Sequence, residues 1–326
     1  MRPLLIHGLL LVLACGCATA PTAQAAEAYD RFPDKLLDMG TASEEGIFHR
    51  IGGGLCEEAN KARERTLVRC VASPTSGPDY NLQALSEGVM RLGLAFSGLS
   101  RSPVPASTRH LMTLYDSPIV VIGRGAAGIR DIGDIRGKRI EIGTPTSGRR
   151  LLVDQLLEAL GLPLSEFAGT TELSSPSALG AAFCNAEVDV IIEGYGLPDS
   201  TYERLARDCG GVFLHIPEAA RELMLIQYPG LQRVDIDIGR FTGKPGETLP
   251  TLDQKVILVT DERVGQEALQ RFIATVLAAA KNVRKIDPHL AGFDAESALL
   301  PLPAIPSHAA VAAFLQRAAA RPKVAK

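Results

Sequence analysis

Lys138-Arg139-Ile140-Glu141-Ile142-Gly143-Thr144-Pro145-Thr146-Ser147-Gly148-Arg149-Arg150, running on into Leu151–Leu160, reads as a short strand, a small-residue loop and a helix. Leu152, Val153, Leu156, Leu157 and Leu160 recur with helical spacing on one face. Gly161 and Pro163 end the helix. At such a junction the first N–H groups of the helix lack intrahelical partners, and the positive end of its dipole points out of the loop. Thr146 and Ser147 add hydroxyl donors, and Arg149 adds a planar cation in the first turn. Taken alone the segment is an ordinary capped helix start. Its neighbours make it a cradle for an anion, most simply a carboxylate.

Outward from this stretch, strand-like and helix-like segments alternate. Strands are expected at Lys35–Gly40, Leu67–Ala72, Leu92–Phe96, Leu111–Tyr115, Ile119–Ile122, Val188–Ile192, Val212–Ile216 and Val256–Thr260. Helices are expected over about 47–63, 81–87, 176–185, 199–207, 217–227, 267–282 and 307–317. This alternation predicts an α/β chain of two lobes, each a mainly parallel sheet flanked by helices. In such sheets ligands bind beyond the carboxyl ends of the strands. The loops 40–48, 73–80, 143–149 and 193–198 qualify. The segment 229–254, rich in Gly, Pro, Asp and Thr, reads as a connection returning to the first lobe.

A chain of 326 residues suffices for two cores, and 46% hydrophobic with 22% charged residues is a globular composition. A net charge of −3 provides no basic field for nucleic acid. The amino-terminal order of Arg2, an apolar run Leu4–Cys15 and small residues predicts a secretory signal over 1–25, cut after Ala23-Gln24-Ala25. About 12 apolar positions are too few to span a bilayer. Lipid attachment at Cys15 or Cys17 is the alternative, disfavoured because neither has a strong lipobox. The mature protein is thus expected to be periplasmic. Cys56, Cys70, Cys184 and Cys209 remain; their spacings suggest the pairs 56–70 and 184–209, and an oxidising compartment favours disulfides over metal.

The ordered set of loops resembles the TAXI-type solute-binding proteins of TRAP transporters. Gly40-Thr41-Ala42-Ser43 looks like the first G-T-x-S loop of that family, and Pro74-Thr75-Ser76-Gly77 with Asn81-Leu82 like its T-G-G-S…N-L segment. Cys56, Asn60 and Cys70 resemble a subgroup with a cysteine pair around the first helix. Ile129–Arg139, Gly143–Gly148, Ala181–Asp189 and Tyr195-Gly196-Leu197-Pro198 follow the family in order, so the likeness spans about 36–317. It implies the two-lobed type II periplasmic binding fold, with 26–117 plus 235–326 as lobe 1, 118–234 as lobe 2, and a hinge where strands cross near 117–119 and 228–255. It further implies a small anionic solute, an amino acid or other carboxylate, held by Ser43, Ser76, Ser97, Ser147, Gly148 and Tyr195, and handed to a TRAP-type membrane permease. Thr146, Arg149 and Glu44 join this set on their own chemistry. Departures fall in the cleft: Glu44-Glu45-Gly46-Ile47-Phe48 replaces Gly-Gly-Thr-Tyr-Tyr, Phe96-Ser97-Gly98 replaces Gln-Ser-Asp, and Arg149 replaces a Thr. A sensor of a signalling system, or a secreted hydrolase using the cleft, are the alternatives.

Gly123-Arg124-Gly125-Ala126-Ala127-Gly128 fits G-x-G-x-x-G, but no amphipathic helix follows to receive a pyrophosphate, so no cofactor is expected. The six histidines show no metal-ligand spacing, and there is neither H-E-x-x-H nor G-x-S-x-G. His49 reads as a solvated helix residue, and Asp189 as a turn cap or a brace within the fold.

Overall fold

The computed structural model describes residues 35–100, 102–145, 147–173, 175–194 and 199–320. The expected signal at 1–25, with Cys15 and Cys17, and the candidate ligands Thr146 and Tyr195 lie outside the described residues.

Two sheets organise the chain. The first has six strands: β1 (Lys35–Gly40), β2 (Val68–Ser73), β3 (Leu92–Phe96), β4 (Thr108–Pro118), β10 (Gln232–Asp237) and β11 (Thr248–Asp261). Its order is β10-β11-β3-β1-β2, with β4 also on β11. The second has five, ordered β7-β6-β8-β5-β9: β5 (Val120–Arg124), β6 (Arg139–Glu141), β7 (Gly169–Thr171), β8 (Val190–Glu193) and β9 (Gly211–Leu214). Both sheets are mixed rather than mainly parallel. Strand β1 runs parallel to β2 and β3, and β6 to β7 and β8. Antiparallel pairs occur at the strands through which the chain passes between sheets: β11 against β3, β4 and β10, and β5 against β8 and β9.

Helices cover both faces of each sheet. On the first, α1 (Ile47–Asn60) and α7 (Gln266–Ala278) bury Ile51, Leu55, Phe272 and Ile273 against Leu37, Met39 and Leu94. The opposite face takes Leu82 and Leu85 of α2 (Pro78–Ser86) against Ala95 and Ile257. On the second sheet, α3 (Gly148–Leu160) packs Leu152, Val153 and Leu156 beside Ile140 and Ile192, with α6 (Glu218–Gln227) adding Ala220 and Met224. Helices α4 (Pro176–Cys184) and α5 (Asp199–Arg207) cover its other face. Each fully buried leucine or valine here contributes about 1.5–3 kcal/mol. Leu160 is the last residue of α3 because Gly161 takes φ 66°, and Leu162 N–H closes the six-to-one bond onto Leu157 O at 2.9 Å.

Two differences from the sequence expectation stand out. The supposed connection 229–254 holds an edge strand, β10, hydrogen-bonded antiparallel to the first half of β11. Its alternation Gln232-Arg233-Val234-Asp235-Ile236-Asp237 carries the charges typical of a sheet edge, between loop-like flanks. The expected helix 267–282 is broken at Ala279 into α7 and α8 (Ala280–Ile286), a change of direction that lets both Val276 and Val283 enter the first core.

Cys56 is bonded to Cys70, and Cys184 to Cys209. The first bridge ties α1 to β2. Each closes a short loop and contributes about 3 kcal/mol by constraining the unfolded chain. Reduction with a phosphine is therefore expected to lower the urea midpoint by an amount equivalent to several kcal/mol. Free-thiol titration of the unreduced, denatured mature protein should find no thiols.

A cleft between helix N-termini

Three helices begin where three strands end. The chain leaves β1 at Gly40 and enters α1 at Ile47; it leaves β2 at Ser73 and enters α2 at Pro78; it leaves β6 at Glu141 and enters α3 at Gly148. All three starts meet at one cavity of about 110 Å³, lined by Ser43, Ile47, Phe48, Ser76, Ser147 and Gly148 among others. The first two helices have glycine N-caps, Gly46 and Gly77, with no side chain bonded to the first-turn N–H groups. Gly77 has φ 114°, a conformation that favours glycine. Positive dipole ends from both sheets thus face a common space with apolar walls at Phe48, Pro78 and Leu173.

The loops of the first sheet are held by a buried asparagine. Asn81 Nδ2 donates to Gly40 O, Thr41 O and Leu94 O at 3.1, 2.8 and 2.8 Å, while its Oδ1 accepts from Thr75 Oγ1 at 2.8 Å. The Thr41 hydroxyl donates to Ser73 O at 2.8 Å and lies 3.0 Å from His49 Nδ1, so His49 is half-buried and engaged rather than solvated. Loss of these bonds in Asn81→Ala would strand buried carbonyls. A destabilisation of about 3 kcal/mol is expected, read from the urea midpoint.

On the second sheet, Ser147 caps α3: its Oγ accepts from Arg150 N at 3.2 Å and donates to Thr144 O at 2.8 Å. Gly143, at φ 70°, permits the turn, and a Cβ there would come within 2.7 Å of Ser147 Oγ and 2.9 Å of Arg150 N.

Arg149 lines the cavity, but it is not a cation waiting for an anion. Its Nε and Nη2 meet Glu193 Oε1 and Oε2 at 3.2 and 3.3 Å, and Nη1 meets Glu141 Oε1 at 3.5 Å and Leu173 O at 3.4 Å. Both carboxylates are fully buried and Arg149 is 6% exposed. Glu141 Oε1 also accepts from Gly143 N and Leu173 N. Burial pushes the Glu141 carboxyl above its usual range, against the pull of Arg149 and these two N–H groups. Two carboxylates against one guanidinium leave no net positive charge, so anion attraction in the cleft rests on the helix ends.

Ser43 and Ser76 stand on exposed loops at the cavity wall. Glu44 is exposed and does not line it. Ser97 lines a different cavity, and its Oγ accepts from Lys255 N at 2.9 Å and contacts Gly230 O at 3.4 Å, so it fastens β3 to β11. The structure therefore gathers Ser43, Ser76, Ser147, Gly148 and Arg149 and leaves Glu44 and Ser97 outside. Sequence reasoning missed Glu141 and Glu193 as partners of Arg149; an acid two residues before the loop was the available signal. The G-x-G-x-x-G segment ends β5 in a one-turn 3-10 helix, Gly125–Ala127, not a long helix. No helix among the described residues is long and apolar enough to cross a membrane.

Solved structures similar to this chain include the alkanesulfonate-binding protein SsuA from Xanthomonas axonopodis pv. citri bound to MOPS. It is 16% identical, with 86% of this chain and 83% of that one covered at a TM-score of 0.43. MatC from Rhodopseudomonas palustris with bound malate is 13% identical over 88% and 98%, at a TM-score of 0.49. The substrate-binding protein of an amino acid ABC transporter is 15% identical over 77% and 96%, at 0.43. Residues 39–317 match the family model throughout, and the chain belongs to the NMT1-like family.

Proposed function

We propose that this chain is an exported solute-binding protein that captures a small anionic solute, an amino acid or other carboxylate, in the cleft between its two sheets. The observation that supports the reading is the convergence of three helix N-termini on one cavity, two of them with glycine caps that bond no side chain to the first-turn N–H groups. Backbone donors and hydroxyls in a half-dry cleft favour an anion without any free cation. The partner would be a TRAP-type permease, following the resemblance to TAXI proteins. The cleft binds the solute and leaves it chemically unchanged.

The lobes in this reading follow the two cores. Ile238, Phe241 and Leu249 pack with the second sheet, and the core changes along β11 between Leu252 and Val256. We accordingly place the return boundary near 253 rather than 235. Where the chain crosses, Ile119 N–H donates to Leu252 O at 2.8 Å and Ser117 N–H to Asp253 Oδ1 at 2.9 Å, so these strands are the hinge. Closure about it would carry Ser147 towards Ser43 and Ser76.

A thermal-shift screen of amino acids, dicarboxylates and keto acids tests the reading, since a ligand at 100 times its Kd stabilises the native form by about 2.7 kcal/mol. Ser76→Asp, which places a carboxylate at the cavity wall, should then weaken the best ligand at least about tenfold, the equivalent of 1.4 kcal/mol, without lowering Tm. A screen without any anionic ligand, or unchanged affinity in Ser76→Asp, would refute the assignment.

A further inference from the structure

The wall of the cleft is rich in hydrogen-bond donors and poor in acceptors. The glycine-capped starts of α1 and α2 direct backbone N–H groups into it, and Ser43 and Ser76 add hydroxyls. Carbonyls of the same wall are already engaged. Ala42 O accepts from Thr75 N–H at 3.2 Å, Ser43 O from Gly46 N–H at 2.9 Å, Gly77 O from Asn81 N–H at 3.0 Å and Thr144 O from Ser147 N–H at 2.9 Å. Leu173 O meets Arg149 Nη1 at 3.4 Å. No carboxylate is among the described lining residues, and Glu141 and Glu193 are fully buried behind Arg149.

This asymmetry sorts solutes by charge. An ionised carboxylate only accepts hydrogen bonds, whereas an ammonium only donates them. The carboxylate finds donors at the helix starts and the favourable end of their dipoles. An ammonium would meet the unfavourable end, with hydroxyls and bonded carbonyls as its acceptors, and burying it without a carboxylate is costly. A second acid on the solute fares no better. Arg149, the one cation among the described lining residues, is spent on Glu141 and Glu193. A second negative charge would therefore lie close to two buried carboxylates with no cation to answer it. The rest of the wall is apolar: Ile47, Phe48, Pro78 and Leu173 suit hydrocarbon. The Phe48 ring packs on that of Phe96, with centroids 5.4 Å apart.

We infer that the solute of this cleft is a small monocarboxylate with a hydrocarbon tail, bearing neither an ammonium nor a second acid. The inference rests on the reading of the cleft as an anion site and narrows it.

Calorimetry at pH 7 with butyrate, L-2-aminobutyrate and succinate tests it, because the three share a four-carbon chain and differ in charge. Acetate serves as the carboxylate without a tail. Butyrate should saturate at one equivalent and bind at least about tenfold more tightly than each of the others, the equivalent of 1.4 kcal/mol. Ser76→Asp places an acid on the wall and should narrow the gap between butyrate and L-2-aminobutyrate. The inference is overturned if butyrate does not saturate, if any of the other three matches it, or if Ser76→Asp leaves the gap as wide. A cleft that prefers an amino acid or a dicarboxylate overturns this inference and leaves the anion-site reading standing; a cleft to which no anion binds ends both.

Discussion

Replacing Arg149 with Met is expected to cost about 3–5 kcal/mol of stability at pH 7, because it leaves two buried carboxylates without their cation. Glu141 and Glu193 are both fully buried, and the bidentate pair with Glu193 and the 3.5 Å contact with Glu141 account for the guanidinium. The sign of the pH response identifies the cause. Arg149 is the foremost influence lowering the Glu141 carboxyl against burial, so its removal raises Glu141 further. The folded variant then binds a proton that the unfolded chain releases above about pH 4.3, and its stability falls as pH rises. Acidification from pH 7 towards 5 should therefore restore part of the loss. Urea unfolding of both proteins at several pH values checks this. A deficit independent of pH would mean that lost packing, not the unpaired charge, sets the cost. Glu193→Gln in the same background should recover stability at neutral pH for the same reason.

Asp189→Ala should cost about 3 kcal/mol at pH 7, the worth of the charge-assisted bonds that Asp189 accepts; no buried charge is stranded, because Arg139 is 41% exposed. Asp189 sits at the entry to β8 and is 5% exposed. Its Oδ1 accepts from Arg124 Nη2 at 2.5 Å and Arg139 Nη2 at 2.8 Å, and its Oδ2 accepts from Arg139 Nε at 2.8 Å and Arg139 N at 3.2 Å. The side chain thereby joins the end of β5 to the start of β6, bracing the fold as its sequence position suggested. Burial opposes ionisation, but bonds from Arg139 and Arg124 hold the carboxyl well below the ordinary range. A depressed folded pKa stabilises above the unfolded value of about 3.9 and is lost as pH falls below it. The gap between native protein and Asp189→Ala should thus be full at pH 7 and narrow progressively below pH 4. Equal unfolding midpoints at pH 7 would show that the two arginines find other partners.

Both predictions concern contacts that the chain hides from a linear reading. Arg149 meets an acid eight residues before it and another 44 after it, and nothing in the local pattern orders those three side chains. Its place in the first turn of α3 was legible, and so was the cap at Ser147. Its charge state in the cleft was not, because neutralisation depends on how β6 and β8 bring Glu141 and Glu193 together. Ser97 shows the same limit: its hydroxyl is engaged by a backbone N–H 158 residues away.

The sequence by itself determined the α/β alternation, the strand–loop–helix unit at 138–160 with its glycine stop, the local cysteine pairs and three of the loops that meet at the cleft. These follow from periodicity, backbone preference and short-range closure, all written in adjacent residues. Tertiary structure alone decided the antiparallel pairings of β11, the edge strand β10 and the buried charge cluster beneath α3. Each of these depends on groups distant in sequence meeting in a medium of low polarity, where an approach of a few ångströms determines which charges cancel and which polar atoms lack a partner.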